Sequence, residues 1–358
     1  MKAILLNNYS MTAQREQWVR ENYQYPTHHL WGATTLPKYG INVEILLWEK
    51  YSFLKKNSQK LKILGDLDQE VRLLLEKHDY DIIYSANQGS TYLLAILRAI
   101  RLLKKPVVSV QHQSFKKNIW SLLFIKFILS KYDRLFCLSD GIRNHLIKEF
   151  NIPNKKLHLL EWGIDLPFYK ITNNDSLYTK GEKSFILSAG RTYRDYKTLT
   201  KAFKNINYPL RIYSPPDPMF NKIDYTSNIQ VFTHYISWQE ILAEHAKAYA
   251  IAIPLDNTQP KSYIHAIGVT SLLDAMGMGK AVVMTRTVEP CIDIEKEGIG
   301  IFVEQGDDKG WQEAISYLLE HPDETREMGK RGRRLCEEKY NLEVFTSRLS
   351  ELLKDALK

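Results

Sequence analysis

Cysteine is scarce in this chain. Cys137, Cys291 and Cys336 are the only three in 358 residues, and no two form a Cys-x-x-Cys pair. That argues against a disulfide framework or a thiolate zinc site and fits a reducing compartment. Long apolar runs are scarce too. The opening "MKAILLNNYS" reaches its asparagines too soon for a secretory signal, so a cytoplasmic strand is expected there. The longest apolar segment, "IWSLLFIKFIL" at 119–129, falls short of the about 20 residues a bilayer-spanning helix needs. With Lys116 and Lys117 before it and Lys131 after it, it reads either as an amphipathic helix lying on an anionic membrane surface or as a core helix with lysine rims. Internal repeats and low-complexity tracts are missing. So are an aromatic RNA-binding signature and a DNA-reading module, and nucleic acid is not an expected partner. The acidic pairs are poorly placed for a metal. Asp66-Leu67-Asp68 opens a helical pattern and Asp79-Tyr80-Asp81 precedes a strand, so neither closes one.

What is present fits a globular α/β protein. Hydrophobic residues make up 44% and charged residues 25% of a chain long enough for two domains. The net charge of +8 is uneven, with 25 Lys and Arg against 15 Asp and Glu in residues 1–170. Such a basic half would face anionic lipid, nucleic acid or an acidic substrate, or would only aid solubility. Short apolar runs alternate with helical patterns. The first half has "KAILLN", "NVEILLW", "DIIYSA", "PVVSVQ", "RLFCLS" and "LHLLEWG". The second has "SFILSAG", "LRIYS", "IQVFTH", "AYAIAIP", "AVVMT" and "GIFVE". Helical patterns include "STYLLAILRAIRLLKK" and the closing "KRGRRLCEEKYNLEVFTSRLSELLKDAL". A polar gap, "KITNNDSLYTKGEK", reads as a linker. The expectation is two doubly wound Rossmann-like domains, 1–170 and 171–340, with a final helix at about 341–358 returning to the first. A ligand cleft is expected between them, beyond the carboxyl ends of the strands.

Two stretches of the second half suggest phosphate chemistry. In "SFILSAGRTYRDYKTLTKAF" a strand runs into Gly190, and Arg191, Arg194 and Lys197 follow at once. Strand–glycine–helix geometry converges backbone N–H groups and a helix dipole on one point, and guanidinium forks match phosphate oxygens. A cation at a helix start is unfavourable unless an anion is bound, which favours phosphate over a merely solvated basic loop. In "IHAIGVTSLLDAMGMGKAVV", Gly268, Val269, Thr270 and Ser271 form the expected start of another helix. Asp274 lies one turn on from Thr270, within reach of a polyol such as ribose, or else serves as a surface or capping residue.

Together these stretches resemble the group 1 glycosyltransferases, glycosyltransferase family 4, over nearly the whole chain. The family's Gly-Arg…Lys-Gly segment is similar to Gly190, Arg191, Arg194 and Asp195, with arginine in place of lysine. Its two glutamates spaced by seven residues, before Ala-Met-x-x-Gly-x-Pro-Val-Val, resemble "DAMGMGKAVV", with Asp274 for the second acid and Ala266 where the first would stand. "IQVFTHYISWQEILAEHAKAYAIAIPL" looks like the family's edge of the base pocket. "PVVSVQHQS" resembles the strand that ends in an active-site histidine, here His112. "HHLWGATTL" resembles the glycine-containing first loop, with Gly32 as counterpart. The resemblance implies a GT-B fold and transfer, with retention of configuration, from a nucleotide-sugar (UDP by default) to a glycan, lipid-linked or small-molecule acceptor. No metal or other cofactor is expected, because the acidic pairs are poorly placed for one and the arginines would do its work. His112, Arg191 and Arg194 would serve the reaction, and Gly32, Gly190, His265, Gly268, Val269, Thr270, Ser271 and Asp274 the donor. The implied place is the cytoplasm, at the inner face of the membrane. Rival readings are an epimerase or phosphorylase on the same scaffold, a basic polyanion-binding protein, and a non-catalytic partner subunit kept open by the missing acid at Ala266.

Overall fold

The computed structural model describes residues 1–21, 25–60, 65–112, 119–170, 184–223, 225–256 and 267–358. His265, Ala266, Lys116, Lys117 and most of the linker stretch fall outside these residues. The chain divides into two compact units, Met1–Phe168 with Asn341–Lys358, and Tyr169–Tyr340.

Unit 1 is built on β1 (Lys2–Leu6), β2 (Asn42–Ile45), β3 (Ile82–Ser85), β4 (Val107–Gln111), β5 (Arg134–Cys137) and β6 (Leu157–Leu159). Its helices are α1 (Met11–Arg20), α2 (Ser52–Lys60), α3 (Leu67–Leu75), α4 (Tyr92–Ala99), α5 (Ile119–Leu129) and α6 (Asp140–Phe150). Unit 2 has β7 (Ile186–Ala189), β8 (Leu210–Tyr213), β9 (Ile229–Phe232), β10 (Ala250–Ile253), β11 (Val282–Thr285) and β12 (Gly300–Val303). Its helices are α7 (Tyr196–Phe203), α8 (Trp238–Lys247), α9 (Val269–Gly277), α10 (Asp308–Glu320) and α11 (Pro322–Glu338), and α12 (Leu342–Asp355) closes the chain.

The twelve apolar runs become these twelve strands, all paired in parallel. Helices on both faces of a parallel sheet bury its central strands completely, as they do β3, β4, β10 and β11. That is why these strands read as largely apolar runs, whereas the edge strand β2 alternates in exposure. The order in unit 1 is β2-β1-β3-β4-β5-β6, and in unit 2 it is β12-β11-β10-β7-β8-β9. Both are doubly wound, and strand order reverses between β1 and β3 in the first and between β7 and β10 in the second. At such a reversal neighbouring crossovers leave on opposite faces and open a crevice beyond the strand ends.

One helical expectation needs correction. The pattern from 90 to 105 does not continue to its end. α4 stops at Ala99 because Arg101 turns left-handed at φ 60 and the Leu102 N–H bonds back to the Leu97 carbonyl, closing the helix. The closing segment is two helices, with Asn341 capping α12 through the Val344 N–H at 3.0 Å. α12 buries Leu342, Phe345, Leu349, Leu352 and Leu353 in the core of unit 1. In α5, Ile128 and Leu129 are fully buried in that same core while Leu123, Lys126 and Phe127 remain exposed. Among the described residues no helix is long and apolar enough to cross a membrane.

Candidate active site

In unit 2 a cavity of about 250 Å³ opens at the carboxyl end of the sheet, beside the β7–β10 reversal. Ala189, Gly190 and Arg191 form one wall, Ser271 and Asp274 of α9 a second, and the β8 and β9 exits with α8 the rest. Its size is just below the ~300–1,000 Å³ of whole small-molecule pockets, which suits part of an extended ligand.

Gly190 has φ +148, and a β-carbon there would lie 2.5–2.7 Å from the Arg194 guanidinium. Glycine at this position is therefore what lets that guanidinium cross the end of β7. Arg194 stands near the helix start, as expected. It precedes the helix, whose N-cap is Asp195, and a bridge to Leu255 pins its backbone beside β10. Its side chain folds back, Nη2 donating to Ser271 Oγ at 2.9 Å and Nη1 to the Thr192 carbonyl at 2.8 Å. Nε is enclosed without a partner, and burial pushes the guanidinium below its usual pKa. It has no ion pair with a described carboxylate. A half-buried cation whose recorded hydrogen-bond partners are both neutral is held at a cost that an anion would offset. Arg191, exposed at the rim, adds a second positive charge, while Lys197 points to solvent.

α9 begins where the sequence placed it. Gly268, its N-cap, adopts φ +78 with Ile253, Leu255 and Met284 packed where a β-carbon would go. Val269 and Thr270 occupy the first turn, Thr270 exposed, and their N–H groups have no capping side chain. Ser271 contributes its hydroxyl to the cavity, bridging Arg194 and the Ala189 carbonyl. Asp274 also lines it. Burial raises this carboxyl to about 6, although the Tyr169 hydroxyl donates to Oδ1 at 2.6 Å and counteracts the rise.

Sequence reasoning pointed to the β9–α8 stretch as a whole and missed its individual residues. His234 and Tyr235 lie at the rim and His245 in the wall. Burial lowers His245 to about 4, so the ring is neutral, with Nδ1–H donating to the Ile241 carbonyl at 2.8 Å. In that tautomer Nε2 is an acceptor. Tyr213 lines it too, stacked on Phe232 at 4.5 Å and 12°. The aromatic density of "VFTHY" was the available signal. Tyr169 gave none.

His112 and Gly32 belong to unit 1. His112 follows β4, with its Nε2 2.6 Å from the Ala86 carbonyl, its backbone N–H on Gln88 Oε1 at 2.9 Å, and its ring edge-on to Trp31 at 4.9 Å. Burial lowers it to about 4. Gly32 takes a left-handed turn at φ +83 beside Leu36 and Leu349.

The sequence profile of the group 1 glycosyl transferases matches residues 170–335, and that of glycosyltransferase family 4 matches residues 47–168. The chain belongs to the group 1 glycosyltransferases. One curated relative of this glycosyltransferase is the O-antigen chain mannosyltransferase RfbU of Salmonella typhimurium, 19% identical over 225 residues. The match spans 59% of this chain and 58% of that relative, little more than half of either. Among solved structures, sucrose-phosphate synthase from Thermosynechococcus elongatus superposes with a TM-score of 0.73 at 15% identity, over 99% of each chain. HepE of Anabaena, in complex with UDP, gives 0.69 at 13% identity, over 99% of this chain and 100% of that one. At such identities the likeness is one of fold, and the fold shared is GT-B.

Proposed function

We propose that this glycosyltransferase moves a sugar from a nucleotide-activated donor, whose pyrophosphate lies on Gly190, Arg191, Arg194 and the start of α9. The observation that carries this reading is the Arg194 guanidinium, half-buried without a carboxylate and bonded to Ser271 in the first turn of α9. Charge develops on the departing diphosphate during transfer, so preorganised cations and N–H dipoles lower the barrier there. Asp274 would take the ribose, and the wall of Tyr213, His234 and His245 the base. UDP is the proposed nucleotide, in line with the HepE structures solved with UDP and with UDP-glucose. The sugar and the glycan or lipid acceptor are left open, mannose being the one that RfbU's name suggests for that relative.

Retention of configuration follows the resemblance, with His112 at the reacting centre. Charge neutralisation by arginine in place of a metal is part of the proposal. In its support, Asp66 is engaged by Lys55 at 2.9 Å, and Asp68 by Arg72 at 2.9 Å and the Tyr51 N–H at 2.8 Å. Work at the inner face of a membrane is likewise proposed, with exposed Leu123, Lys126 and Phe127 of α5 supporting it.

The test is a thermal-shift screen against UDP, GDP, ADP and their sugars. One nucleotide class is expected to stabilise the protein, and Arg194→Ala to abolish that shift. Indifference to every nucleotide, or an unchanged shift in Arg194→Ala, would overturn the reading.

A further inference from the structure

We infer that Tyr169 is a positioning residue for Asp274, its hydroxyl holding one carboxylate oxygen so that the other is presented to the ligand. The inference rests on the cavity being a nucleotide site. Tyr169 is the first residue of unit 2 and is 1% exposed, a burial that fixes the ring. Its side face meets Trp238 of α8 edge-on at 5.5 Å and 80°. Its backbone is held as well. Arg333 Nη1 donates to the Tyr169 carbonyl at 2.7 Å and to the carbonyl of Gly277, the last residue of α9, at 2.6 Å. One guanidinium thus ties the tyrosine to the helix that carries the aspartate. Between those fixed points the hydroxyl donates to Asp274 Oδ1, the only side-chain hydrogen bond that Asp274 makes among the described residues.

The physical consequence follows from what the carboxylate lacks. It is half-buried with no cation paired to it, and burial favours its protonated form. A short bond from a neutral hydroxyl stabilises the ionised form without adding charge near a diphosphate, where a lysine or arginine in the same place would compete for the phosphates. It also removes rotational freedom from the short side chain, so Oδ2 has its acceptor capacity unspent and in a fixed place. A ligand with vicinal hydroxyls, such as the ribose of a nucleotide, would use that capacity.

The experiment titrates Asp274 by carboxyl-carbon NMR in aspartate-labelled protein, with Asp274→Asn assigning the signal, in wild type and Tyr169→Phe. Calorimetry with UDP-glucose runs alongside from pH 5 to 8, a probe whose phosphates are both esterified and do not titrate in this range. Tyr169→Phe is expected to raise the carboxyl midpoint by about 0.5–1 pH unit. UDP-glucose affinity should fall by about twofold to fivefold near pH 6 and recover in large part by pH 8, where both proteins are ionised. An unmoved midpoint in Tyr169→Phe overturns the positioning role whatever the probe does. If Asp274→Asn binds UDP-glucose as wild type does across the range, the nucleotide reading of the cavity fails instead. A loss of affinity in Tyr169→Phe that is equal at every pH would mark a packing effect and also overturn the inference.

Discussion

The two units share one architecture and treat the carboxyl ends of their strands differently. Unit 1 fills that region with rings. Trp31 stacks on Trp162 at 5.0 Å and 13°, His29 meets Trp162 at 5.2 Å, and His112 meets Trp31. Its buried histidines are kept neutral, with His29 and His112 each lowered to about 4. Unit 2 keeps a cavity there and holds Arg194 beside it, bonded to the lining residue Ser271 and without a described counter-ion. Equivalent sheet ends thus spend their free energy in opposite ways. Ring stacking and neutral imidazoles favour the folded state, whereas a desolvated cation opposes it until an anion arrives.

That contrast is open to attack, most strongly at Arg194. Replacing it by alanine should lower transfer by about 10²–10³-fold, the loss typical of one preorganised donor. The melting temperature should stay level or rise, because an unpaired cation has been removed. Steady-state kinetics beside calorimetric unfolding would check both, and a clear fall in stability would erase the distinction between the units. Gly190→Ala comes next. Its β-carbon would displace the guanidinium, so a loss of about tenfold or more in transfer is expected, with little change in circular dichroism.

Asp274→Ala should cut transfer about tenfold. In wild type, donor affinity should decline as pH falls through about 6, where this carboxyl becomes protonated. A raised folded-state carboxyl pKa has the opposite effect on the fold, which gains stability from this group as pH falls from 6 towards 4. The smallest expected effect lies in unit 1. Histidines titrate near 6.5 when unfolded, so a folded-state value of about 4 makes protonation favour the unfolded chain. Stability contributed by unit 1 should therefore drain away between pH 6.5 and 4. His112→Phe should blunt that slope by about 1 kcal/mol per pH unit near pH 5, as unfolding by denaturant at several pH values would show. A slope that His112→Phe leaves unchanged would remove the histidine half of the comparison.

All twelve strands were legible because parallel sheets covered by helices demand apolar residues on both faces, and "DIIYSA" or "AVVMT" satisfies that locally. The Gly190–Arg194 turn and the Gly268 start of α9 were legible for a similar reason, since glycines before helices mark sites of close backbone approach. Less could be read where geometry depends on distant partners. Arg194 was expected near a helix start, yet its side chain is set by Ser271, far along the chain. The early end of α4 went unread because Arg101 adopts a conformation that glycine more often takes.

The sequence by itself determined the strands, the two turns poised for phosphate and the kinship with group 1 glycosyltransferases. Each depends on residues a few positions apart, where periodicity and backbone preference act directly. Only the tertiary structure decided that Tyr169 would meet Asp274 and that Arg194 would bond to Ser271. Those contacts join segments remote along the chain. They are chosen by packing and burial of the folded whole, for which no local pattern of residues is a guide.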